Sequence, residues 1–191
     1  MRSIKTSSRA ILLVGLLTAQ LQAADAPIKP GPEHKKLEMC TGKWKTEGTT
    51  FESPLGPAGK FTGTEEDRMI LGGLFLEIRG KSTGPEGKIS RLEIMGYDSE
   101  KARYQDSYFS SKGEFDLGWK NENAIATIDG DTWHWTWAEE KGGKKYQMRQ
   151  TVAFAPDHKS FTWETFYSED GTTWKKRDQA KSTKVGNVHN E

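Results

Sequence analysis

Trp133-His134-Trp135-Thr136-Trp137 alternates indoles with polar side chains. Only an extended chain sends every second side chain to the same side, so this run is a strand with one apolar and one wet face. Such a strand needs antiparallel partners to bury its indoles, and the following sequence supplies them. A two-residue turn at Gly142-Gly143 sets Trp137 opposite Met148, Trp135 opposite Gln150 and Trp133 opposite Val152. A second hairpin over Pro156-Asp157-His158-Lys159 sets Phe154 opposite Phe161 and Val152 opposite Trp163. Both registers collect the large apolar side chains on one face. Thr136, Arg149, Thr151, Thr162 and Glu164 fall on the other, which is expected to be solvated.

The rest of the chain extends this pattern. Leu37 and Cys40, three apart within 34–41, allow one or two helical turns, which Gly42 ends. From there no long helical period occurs. Strands are predicted near 43–52, 60–70, 74–82, 88–98, 103–109, 113–119, 123–129, 132–140, 144–155, 160–168 and 172–182, with a corner or bulge at Gly72-Gly73. So many short antiparallel strands leave exposed edges unless the sheet closes. The expected fold is all-β: a single antiparallel up-and-down β-barrel of about ten strands behind a short N-terminal helix. The expected boundaries are a signal peptide at 1–23, a Pro-rich lead at 24–33, the barrel domain at 34–183 and a polar tail at 184–191.

The leader sets the compartment. Arg2, Lys5 and Arg9 precede the short apolar run 11–17, and Ala23, Ala24 and Ala26 offer small residues for cleavage, best after Ala23. The apolar run is too short to span a bilayer, which takes roughly 20 residues. An exported protein, periplasmic or secreted, is expected, with no stable membrane insertion once the signal is removed. Basic and acidic residues nearly cancel, 28 Lys+Arg against 27 Asp+Glu, so no net field draws in nucleic acid. Cys40, the single cysteine, cannot form an internal disulfide and reads as a small apolar residue of the helix.

Residues able to carry chemistry are few. His134 shares a face with Thr136, opposite the indoles; His34, His158 and His189 fall outside the strands, and no metal-ligand spacing links any of them. No metal or other cofactor is expected. In Glu65-Glu66-Asp67, Glu65 and Asp67 share a face with Phe61 and Met69; the cheaper placement for two acids is the outer wall. The segment 168–174 resembles an Asp-box one residue short and is read as a hairpin turn at Asp170-Gly171.

Four motifs in order, Pro30-Gly31-Pro32-Glu33-His34-Lys35-Lys36-Leu37, Gly42-Lys43-Trp44, Ile70-Leu71-Gly72-Gly73-Leu74-Phe75-Leu76 and Gly96-Tyr97-Asp98, resemble the exported bacterial DUF1579 family, which has no assigned activity. The resemblance implies a lipocalin-like (calycin) barrel opened by a Gly-x-Trp strand. In that fold the tryptophan lies under a basic side chain of the last strand. Trp44 takes the first role, and Arg177 is the expected cation, with Lys175 or Lys176 as substitutes. A remoter resemblance to haem-binding nitrobindin-type barrels does not extend to the haem, because no histidine faces inward. Trp133, Trp135, Trp137, Met148, Gln150, Val152, Trp163 and Tyr167 are the expected lining of a cavity for a small, largely apolar ligand in a non-enzymatic barrel. The alternatives are a packed barrel acting through its surface, and an enzyme using an inward acid such as Glu65, Asp67 or the Asp106/Tyr108 pair.

Overall fold

The computed structural model describes residues 28–121 and 123–190, so the expected signal peptide lies outside the described residues. Helix α1 (Pro32–Leu37) runs into a 3-10 turn (Glu38–Cys40), and the strands follow: β1 (Gly42–Thr50), β2 (Gly59–Ile70), β3 (Phe75–Gly84), β4 (Gly87–Asp98), β5 (Arg103–Ser110), β6 (Phe115–Asp116), β7 (Ile125–Asp129), β8 (Thr132–Lys141), β9 (Lys144–Phe154), β10 (Ser160–Ser168) and β11 (Lys175–Gly186). Each long strand pairs antiparallel with its sequence neighbours, and β11 returns to β1. Ten strands thereby close into a barrel, with β6 a short addition beside β5. Every register expected from the Gly142-Gly143 turn and the Pro156–Lys159 hairpin is present. Leu71-Gly72-Gly73 forms the corner before β3.

Two expectations about strands are corrected. The strand expected over 113–119 shrinks to β6 and gives way to helix α2 (Gly118–Asn121). There Trp119 packs edge-on against Phe75 of β3 at 5.8 Å, a burial that a continued exposed strand would forgo. The last strand, expected over 172–182, runs instead from Lys175 through Lys184 to Gly186, although its sequence is almost wholly polar. Its hydrogen-bonded place is fixed by β1 on one side and β10 on the other.

The long last strand decides what sits over Trp44. Lys184 is its cross-strand partner, and the Lys184 Nζ lies 5.5 Å from the indole centroid. Arg177, expected there, is the extra residue of a bulge between the pairs Thr165–Asp178 and Phe166–Lys176; it reaches Glu139 at 2.9 Å and Asp178 at 3.6 Å. Lys176 lies over Phe166 and pairs with Glu164, and Lys175 is exposed beside Tyr167. The cation over Trp44 was displaced toward the C-terminus because strand closure, not the nearest basic cluster, sets the register. Gly42 makes the arrangement feasible: its φ is +145°, and a Cβ there would stand 2.4 Å from Lys184 Cε.

One end of the barrel is a floor. The α1 segment covers it with Leu37, and Trp44 Nε1 donates to the Cys40 carbonyl at 2.8 Å. Trp133 Nε1 approaches Met39 Sδ at 3.3 Å, while Tyr104 O–H donates to Glu33 Oε2 at 2.8 Å. Met69, Leu76, Met95 and Phe154 complete this cluster. Polar tips thus tie the helix to an otherwise apolar plug.

Candidate functional site

Strand registers lay out the inner wall as lateral rows. One runs Trp44, Glu65, Gly80, Arg91, Ser110; the next holds Asp67, Ile78, Glu93, Tyr108; the third holds Met69, Leu76, Met95, Asp106. Trp44 and Leu76 are core residues, so side-chain alternation commits all three rows to the lumen. Glu65 and Asp67, expected on the outer wall, therefore face inward. The signal missed was their counter-ion: Arg91 arrives from β4, two strands away, and nothing local to β2 announces it.

Arg91 holds this wall together. Its Nη2 lies 2.7 Å from Glu65 Oε1 and its Nε 2.5 Å from Glu93 Oε1. To reach Glu65 it passes across Gly80, where a Cβ would come within 2.9 Å of Arg91 Cγ and Cζ. Gly80→Ala is accordingly expected to push Arg91 off Glu65 and to cost about 1–3 kcal/mol, the range for overpacking an interior, measured by urea unfolding. Burial works against the Arg91 charge, but Glu65 and Glu93 outweigh it and hold the guanidinium above its ordinary pKa.

The two aspartates behave differently. Asp67 is 3 % and Asp106 8 % exposed. Burial first, then Glu65, pushes the Asp67 carboxyl well above its usual range, against the pull of Arg91 and Lys184. Burial first, then Glu93, does the same for Asp106, which is hydrogen-bonded to Glu93. Asp106 and Tyr108 share the inner face, but Tyr108 hydrogen-bonds Ser110 instead. Burial also pushes the Cys40 thiol up, with Asp67 and Glu65 adding to it, so this cysteine is a poor nucleophile.

The opposite wall, β8 to β10, is aromatic. Trp133 and Trp135 stack with centroids 6.0 Å apart, and Trp163 lies 5.8 Å from Phe61. The eight residues expected to line the cavity are divided by the structure. Trp133 belongs to the floor; Met148 and Tyr167 join Leu55 and Tyr146 in a second cluster, with Trp137 touching both clusters. Trp135 is a buried member of the floor cluster as well, with Val152 packed against it, and Gln150 and Trp163 occupy the stretch between, where Gln150 Nε2 donates to Thr165 Oγ1 at 3.0 Å. Val152, Gln150 and Trp163 are only half-buried although they point inward. On the facing wall the Arg91, Glu93 and Glu65 side chains keep 27 %, 18 % and 13 % of their surface accessible. Above the floor, inward-facing side chains of both walls thus keep accessible surface.

Elsewhere, His134 is exposed on the outer face, and His158 pairs with Asp131 at 3.1 Å. The Asp170 turn is self-contained: its carboxylate accepts from the Thr172 and Thr173 amides, which with Ser168 hold it far below the usual carboxylate range. On the outer wall Phe109 and Phe115 pair across β5 and β6 and remain exposed.

Residues 29–178 match the family described as "Protein of unknown function (DUF1579)". The chain belongs to the DUF1579 family. Among curated proteins no sequence matches it. Among solved structures it is similar to the S-type phycobiliprotein lyase CPES from Guillardia theta, at 8 % identity and TM-score 0.50, covering 84 % of this chain and 99 % of that one. It is also similar to Rv2717c from M. tuberculosis, at 11 % identity and TM-score 0.53, covering 81 % and 98 %. At such identities the likeness concerns the fold, and it agrees with the lipocalin-like barrel of this DUF1579 protein.

Proposed function

We propose that this DUF1579 protein is an exported, non-enzymatic barrel that binds a small, largely apolar ligand in its lumen. The observation that carries the reading is the accessible surface kept by inward-facing side chains above a packed floor. A cleft with a mostly apolar lining and a few convergent polar groups suits a small molecule. Export rests on the basic and apolar leader before Ala23. The mature chain, purified from an exporting host, is expected to begin at Ala24 and to show a ligand mass in native mass spectrometry that denaturation removes. In parallel, the neutral apolar dye N-phenyl-1-naphthylamine is expected to bind with one-to-one saturation. Trp135→Ala should weaken it by about tenfold, or roughly 1.4 kcal/mol. A bare mass together with no saturable dye binding rejects the reading.

The burial of Asp67 and Asp106 favours a second reading, an enzyme with one of them as general acid. Recovery of the bound molecule chemically unchanged after prolonged incubation decides for the carrier.

A further inference from the structure

The two walls of the lumen are chemically unlike, and that difference specifies a ligand. The β2–β5 wall presents four carboxyls, Glu65, Asp67, Glu93 and Asp106, against the single guanidinium of Arg91. That guanidinium is already engaged by Glu65 and Glu93, so it is not available to an incoming anion. Asp67 Oδ1 and Asp106 Oδ1, both on side chains more than nine-tenths buried, have no hydrogen-bond partner among the described residues. Two unpartnered carboxyl oxygens buried on one wall ask for a polar partner, and a donor that carries positive charge both satisfies them and stabilises their ionised form. The facing β8–β10 wall offers Trp135, Trp137 and Trp163, whose ring faces attract cations and whose area suits an apolar body. Among the described residues, no group of three or more His, Cys, Asp or Glu is arranged to hold a metal ion. The chemistry therefore fits an organic cation better than an inorganic one.

We propose that the lumen binds an organic ammonium with an apolar body, its charged head between Asp67 and the Glu93–Asp106 pair and its body against the indoles of β8 and β10. This rests on the ligand-binding reading above and narrows its ligand class. Entry of the head group favours the ionised form of Asp67 and Asp106, so binding releases protons. The groups facing these acids are Glu65, Glu93, Arg91 and Lys184, with Cys40 beside Asp67 and the Ser107 amide at Asp106. Burial and the neighbouring glutamates keep the acids protonated above the usual carboxylate range; affinity for the cation therefore rises as pH rises out of that range.

The test is a matched series of one apolar chain with three head groups: decylammonium, decanol and decanoate, titrated into the mature protein by calorimetry at pH 5 and pH 8. Decylammonium is expected to bind at least about tenfold tighter than decanol at pH 8, with decanoate weakest and with proton release in buffers of different ionisation enthalpy. Asp67→Asn/Asp106→Asn should retain decanol binding and lose the preference for the ammonium. Decanol or decanoate equalling decylammonium overturns the cation assignment and leaves a ligand-binding barrel standing. Failure of all three to bind overturns both.

Discussion

Trp44→Ala should lower the stability of the barrel by about 3–5 kcal/mol, the range for removing a large aromatic from a packed core. The indole is 1 % exposed and meets Phe161 at 4.9 Å and Phe154 at 6.2 Å, so no solvent can fill the hole without passing the floor. Two further contacts disappear with it. The Cys40 carbonyl loses the indole donor that fixes the 3-10 turn to β1, and Lys184 loses the ring beneath its ammonium. Trp44→Phe separates these contributions. It keeps most of the apolar volume and sacrifices the donor, for a smaller expected loss of about 1–2 kcal/mol. Lys184→Met keeps the stem over Gly42 and removes only the charge, worth about 0.5–1 kcal/mol for a partly exposed cation over a ring. Urea unfolding followed by tryptophan fluorescence and by far-ultraviolet circular dichroism ranks the three. A Trp44→Ala loss under about 1 kcal/mol would show that the floor is not a cooperative part of the barrel.

What could be read in advance follows the range of the interactions concerned. The β8–β9–β10 registers were legible because two short turns and side-chain alternation determine them locally: Trp135 meets Gln150 and Trp163 meets Val152. The position of Lys184 was not, because it depends on β11 closing onto β1, a pairing between the two ends of the sheet. A polar strand such as β11, whose inward side chains include Ser182 and Asp178, carries little apolar signal. The acidic wall failed for a related reason. Glu65 and Asp67 share a face with Met69, as their spacing predicts, but the rule that unpaired acids belong outside selects the wrong side here. Their pairing partner Arg91 reaches across an intervening strand through the space left by Gly80, a geometry visible only after β2, β3 and β4 are aligned. The expected strand over 113–119 failed by competition: Trp119 finds burial against Phe75 by turning into α2.

Arg91→Ala is expected to be the most damaging change on the acidic wall, at about 3 kcal/mol near neutral pH, the lower end of the cost of removing one member of a buried ion pair because the Arg91 side chain keeps 27 % of its surface accessible. Glu65 and Glu93 would be left on one wall without the guanidinium between them, beside two aspartates that burial already disfavours as anions. The loss has a pH signature whose sign is fixed. In the wild type Asp67 and Asp106 have folded-state pKa values raised above their unfolded ones, and Arg91 is among the groups that restrain the rise. Above the ordinary carboxylate value, about 3.9, the folded chain therefore holds protons that the unfolded chain has released, and stability falls as pH increases toward the raised values. Without Arg91 the rise is larger, so the fall is steeper and continues to higher pH. The gap between wild type and Arg91→Ala should accordingly be narrow at pH 4 and widest at pH 8. Arg91→Lys keeps a charge but not the two-sided fork between Glu65 and Glu93, and should fall between them. Chemical unfolding at pH 4, 6 and 8 measures all three proteins. A pH-independent gap would mean that Arg91 acts through packing over Gly80 and not through its charge.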